Sequence, residues 1–185
     1  SKKNFVESYA GLTNFPYFLS LFNYAGGNKR NFMVIDESHN TELELSKFIE
    51  VIVTQRFAKS TLKLNVPHIN TQRQAFNWIH DHYYPAASRR LKFITRTLQS
   101  AGIKSKIEQF KKLTRQIDLL KSHVAKIENF LEVYNRDEWV YCVTYNSNNE
   151  KRFEFKPINV AQYTGDYIFK FADKVLLMSA TILNH

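Results

Sequence analysis

Asn31-Phe32-Met33-Val34-Ile35-Asp36-Glu37-Ser38-His39-Asn40 sets an apolar run against two adjacent carboxylates and a histidine. Val34 and Ile35 read as the last residues of a hydrophobic strand, so Asp36 and Glu37 emerge at its carboxyl edge, where open α/β sheets bind ligands. A carboxylate there suits a hard cation such as Mg²⁺, and a second beside it suits the polarisation of an attacking water. Asp36 is the candidate metal ligand and Glu37 the candidate water-activating acid. Triphosphate hydrolysis uses acids presented in this way.

A second phrase lies near the other end. Asp173-Lys174-Val175-Leu176-Leu177-Met178-Ser179-Ala180-Thr181-Ile182 is another apolar strand, and it ends in Ser179-Ala180-Thr181. The pair of motifs resembles that of superfamily-two helicases: Asp36-Glu37-Ser38-His39 is similar to their Asp-Glu-x-His box and Ser179-Ala180-Thr181 to their third motif. The order of the motifs, the Asn14-Phe15-Pro16-Tyr17-Phe18-Leu19 segment before the box and a long helical insertion between the motifs are similar to the XPD and DinG branch. Either motif alone is common. Their combination carries the resemblance.

The resemblance implies an α/β fold with a large all-α insertion. Residues 1–40 and 137–185 would belong to a RecA-like motor domain with parallel strands, and 41–136 to an arch-like antiparallel helical insertion. A β-hairpin and a helix after it would return the chain to the motor. The implied activity is ATP-dependent translocation on single-stranded DNA with duplex unwinding, 5′ to 3′, on single strands or forked duplexes. Asp36 would hold Mg²⁺ on the β- and γ-phosphates, Glu37 would align water, and His39 would relay the nucleotide state. Ser179 and Thr181 would carry that coupling between strands. Ser38, where alanine is common in the family, is a departure that touches no catalytic role. An iron–sulfur cluster stays open for the parent protein, because its cysteines would precede the box.

Charge points the same way. Between Ser88 and Lys126 eleven basic residues face two acids, an excess of nine that equals the net charge of the whole chain. Arg89, Arg90, Lys92, Arg96, Lys104, Lys111, Lys112 and Arg115 are the candidate contacts, since a concentrated basic surface is the footprint of phosphate-backbone binding. A solvated helix face, or one that answers an acidic neighbour, accounts for the same charge. Trp78, Tyr83 and Tyr84 lie near the basic stretch and could stack on bases. Packing of a helical hairpin is the commoner role.

Periodicity supplies the rest. Phe15, Tyr17, Phe18, Leu19, Leu21 and Phe22 form a short buried helix, with Asn14 and Tyr17 near DNA if the resemblance holds. Thr41-Glu42-Leu43-Glu44 has the spacing of a capping box. Leu45, Phe48, Ile49, Ile52 and Val53 then predict one helix to about Ala58. Arg73 to Tyr84 reads as a second helix, which Pro85 interrupts or follows with a new start. Leu91, Ile94 and Leu98 mark a third, ended near Gly102. Ile103, Ile107, Phe110, Leu113, Ile117, Leu120, Val124, Ile127 and Leu131 mark a long fourth with a coiled-coil seam. Trp139–Tyr145 and Arg152–Phe155 read as a hairpin about Asn146-Ser147-Asn148-Asn149, and Val160 to Phe171 as a helix. His80-Asp81-His82 lacks the i, i+4 spacing of helix-borne metal ligands and reads as surface.

Absences bound the function. The 185 residues hold one cysteine, Cys142, too few for a disulfide, a zinc site or an iron–sulfur cluster built within this chain. No apolar run reaches the roughly 18 residues of a membrane span, and Ser1-Lys2-Lys3-Asn4 does not open a signal peptide, so an intracellular, monomeric protein is expected, in cytoplasm, nucleoid or nucleus. No Gly-x-x-x-x-Gly-Lys-Ser/Thr loop is present. The chain therefore reads as the middle of a longer helicase polypeptide, inactive alone, whose remainder supplies the triphosphate cradle. The rivals are a non-catalytic basic helical module that binds nucleic acid or an acidic protein, and a dimeric coiled coil.

Overall fold

The structure, a computed structural model, describes residues 2–100 and 107–180, with side chains over 4–99 and 110–180. Its main elements are α1 (Lys2–Glu7), α2 (Phe15–Tyr24), β1 (Arg30–Ile35), α3 (Thr41–Ile49), β2 (Val51–Thr54), α4 (Gln55–Ser60), α5 (Gln72–Trp78), α6 (Tyr84–Ser100), α7 (Ile107–Val133), β3 (Trp139–Tyr145), β4 (Lys151–Pro157), α8 (Thr164–Tyr167) and β5 (Ala172–Leu177). The chain is mixed α/β, with a parallel sheet β1-β5 and a three-stranded sheet of order β2-β4-β3. Two compact units result, Ser1–Glu50 with Pro157–His185, and Val51–Lys156.

In the first unit, the Asn14 side chain accepts a hydrogen bond from the Tyr17 backbone and Pro16 occupies the first turn, so α2 starts where a capped helix should. Its buried residues Phe18, Leu19, Leu21 and Phe22 form the core stripe. Phe18 and Phe22 meet Phe171, while Tyr24 and Tyr167 close on Phe48. Thr41 is the first residue of α3 rather than its cap; Asn40 holds the cap position and makes no side-chain bond there. The helix expected over 160–171 is instead a 3₁₀ turn (Ala161–Tyr163), the single turn α8 and a second 3₁₀ turn (Phe169–Phe171). The strand carrying the acids is apolar but not buried along its length: Phe32 is 55% and Val34 48% exposed, as are Leu176 at 46% and Leu177 at 47%. Among the described residues β1 and β5 have only each other.

The second unit corrects the expected helix over 45–58. Glu50 turns extended at ψ 136°, and Val51–Thr54 pairs antiparallel with β4 through Val51↔Phe155 and Val53↔Phe153. Val51 and Val53 are fully buried. Four consecutive β-branched residues with a partner strand available outweigh a helical spacing of apolar positions. That pairing places β3 and β4 with the helices in the second compact unit, Val51–Lys156. Asn146 Oδ1 accepts from the backbone of Asn148 and Glu150 and closes the turn.

Helix α5 begins with a capping box of Thr71 and Gln74. It runs into α6 without a break, through a π turn at Ile79–Tyr83 in which Tyr84 N donates to Ile79 O. Pro85, lacking an N–H and crowding the carbonyl four residues back, is accommodated by this widened turn. Helices α6 and α7 pack together. Ile94 of α6 and Leu120, Val124 and Ile127 of α7 are buried, whereas Phe110 on the expected seam is 46% exposed. Phe130, Trp139 and Phe155 form the centre of the core, with ring separations of 4.9 Å. Trp78 packs on Phe153, and Phe76 stacks on Tyr134. Gly102, Ile103, Lys104, Lys106, Thr181 and Ile182 lie outside the described residues.

Candidate functional site

The parallel register pairs Val34 with Leu176 and Ile35 with Leu177. Pairing continues beyond both strands, because Met178 N donates to Ile35 O at 2.9 Å and Ser38 N donates to Met178 O at 2.8 Å. The two strand ends are thereby laced together at one edge. Glu37 sits in the left-handed region, φ 50° and ψ 44°, which a residue with a Cβ seldom adopts. Its N–H donates to Asp36 Oδ1 at 2.9 Å. This turn leaves both carboxylates exposed at the edge of the sheet.

His39 joins the two segments. Its Nδ1 lies 2.8 Å from Ser179 Oγ and 3.3 Å from Glu37 Oε2. A proton on Nδ1 can be donated to either oxygen, and a doubly protonated ring would be held by the Glu37 carboxylate. One side chain therefore contacts both the acid segment and the serine segment. Ala180 is exposed beside them, and Thr181 is outside the described residues.

Among the described residues no group of three or more His, Cys, Asp or Glu side chains could hold a metal. Asp36 offers one carboxylate, and a Mg²⁺ ion commonly takes one or two carboxylates and completes its shell with phosphate oxygens and water. The donor set fits such an ion only together with a phosphorylated substrate. His80, Asp81 and His82 are exposed, and His80 Nδ1 pairs with its neighbour Asp81 at 2.7 Å.

The basic residues divide. Arg89, Lys92, Arg96, Lys111, Lys112 and Arg115 are exposed on α6 and α7, Arg90 is half-buried, and Lys104 is outside the described residues. Trp78 and Tyr83 are buried and so have no face for a base, while Tyr84 donates to Glu128 at 2.7 Å. Sequence reasoning missed one constellation in this unit, Tyr83 with His123, whose Oη and Nε2 lie 2.9 Å apart. Burial pushes Tyr83 up and pushes the His123 imidazole down to about 4, with a smaller push from Lys126. The two residues are forty positions apart, and no local pattern marks the pair.

No family model and no curated protein matches the sequence. Among the described residues no helix is long and apolar enough to cross a membrane.

Proposed function

We propose that this chain is the middle portion of an ATP-dependent DNA helicase of the XPD and DinG branch of superfamily two, comprising the acid box, a helical insertion and the third motif of the first motor domain. The observation that carries the reading is the hydrogen-bonded strand edge at which His39 meets Ser179 at 2.8 Å while Asp36 and Glu37 stay exposed. Asp36 would hold Mg²⁺ on the triphosphate, which supplies charge neutralisation at the transferring phosphoryl group. Glu37 orients water by accepting its proton-side hydrogen bond. His39, by swinging between Glu37 and Ser179, links the state of the acid to the strand that carries Ser179. The exposed apolar faces of β1 and β5 support the reading, since parallel strands are ordinarily covered on both faces within a larger sheet. The exposed cations of α6 and α7 would track a displaced strand by phosphate contact.

DNA-stimulated ATP hydrolysis by the longer polypeptide, wild type beside Glu37→Gln, tests this. Stimulated turnover lost by at least a hundredfold in the variant, with ATP binding kept, is expected. Full activity in the variant would sink the acid assignment. The second reading is a nucleic-acid-binding module without turnover, favoured by the basic face lying in a unit with its own core. Absence of hydrolysis with salt-sensitive DNA binding intact would establish it instead.

A further inference from the structure

The second unit contains a cavity of about 430 Å³ between β2, α4, α6 and α7, and it lies apart from the acid residues in sequence and in unit. Its apolar wall includes Phe57, Ile94 and Leu120; Thr54, Thr61, Gln116, Tyr83 and His123 add uncharged polar groups, and Arg90 is its one ionic side chain. That volume is in the range that takes a small organic molecule.

Arg90 sets the chemistry. Its Nε is buried with no hydrogen-bond partner, and its guanidinium lies 5.5 Å from the Phe93 ring centre. Among the described residues no carboxylate pairs with it. Guanidinium remains charged at any accessible pH, and a partly desolvated cation without an anion is costly unless something completes it. The neutral Tyr83–His123 pair is satisfied internally at 2.9 Å and adds no second charge to the wall. One cation in a lining otherwise without charge selects a ligand with one anionic head and an apolar body.

We infer that this cavity binds a small amphipathic monoanion, a medium-chain or aryl carboxylate, with its head on Arg90 and its body against Phe57, Ile94 and Leu120. The site needs nothing from the helicase reading. The test is calorimetric titration of the full chain with sodium octanoate, 1-octanol and inorganic phosphate, in wild type, Arg90→Gln and Ile94→Trp. Saturable one-to-one binding of octanoate is expected, weakened at least tenfold by Arg90→Gln and by replacing octanoate with octanol, and abolished by Ile94→Trp. Far-UV circular dichroism checks that each variant is folded, and Arg90→Gln decides the matter if the tryptophan does not fit. No octanoate binding, equal binding of octanol, or indifference to Arg90→Gln would overturn the proposal. Phosphate binding as tightly as octanoate would overturn it too, leaving a bare anion site.

Discussion

The first unit keeps much of its apolar strand surface in water, whereas the second closes its strands under aromatic rings. Phe32, Val34, Leu176 and Leu177 are all close to half exposed, but Val51, Val53, Phe153 and Phe155 are buried to within 1%. Both sets are apolar strand residues of similar composition. What differs is the cover: Phe153 and Phe155 of β4 lie against Trp78 and Phe130, whereas Phe32 and Val34 stay exposed among the described residues although Ile35 and Ala172 of the same sheet are buried. Hydrophobic sequence therefore reports a tendency to be buried, and a neighbour decides whether burial happens. The exposed sheet ends in the exposed acids Asp36 and Glu37, whereas the closed one holds its carboxylate Glu154 buried between Arg152 and Lys156.

The sharpest way to break that contrast is Phe130→Ala. Removing a ring packed on Trp139 and Phe155 should cost about 3–5 kcal/mol, read as a lower denaturant midpoint of the second unit. A loss under 1 kcal/mol would mean that this core is not close-packed. A smaller effect comes from His123. Its folded value near 4 lies below the ordinary 6.5, so the unfolded chain takes up a proton that the folded chain refuses. Stability from this group is thus full above about pH 6.5, falls as pH drops toward 4, and is level below that. His123→Phe should flatten that part of the melting-temperature profile; an unchanged slope would assign it to other groups. The smallest change should follow Phe32→Ser with Leu176→Ser in the exposed sheet, within about 0.5 kcal/mol. A core-sized loss there would show that the sheet is covered in solution.

Much of this was legible in the chain. The runs ending at Ile35 and Leu177 announced their strands by apolar content and by the polar residues that follow, and Trp139–Tyr145 announced a hairpin by its turn of asparagine and serine. Two things were not. Val51–Thr54 carried a helical phase continuous with Leu45 and Ile49, and only the partner strand a hundred residues later reveals it as β. The lacing of Met178 to Ile35 and Ser38 depends on two strands lying side by side, which no local window contains. Arg90 reads in the sequence as one of the candidate phosphate contacts, and nothing in its neighbourhood there marks that its Nε is buried.

The π turn at Ile79–Tyr83 makes the length of that segment more constrained than its composition. An extra residue in one helical turn advances everything after it by about 100° around the axis. Ala87 and Ile94 face inward, and Arg89 and Lys92 outward, with that advance included. Loss of one residue between His80 and His82 would rotate α6 as a rod, carrying cations toward the core and dismantling the cavity at Arg90 and Ile94. Side chains at these three exposed positions are free to change, while the residue count is not.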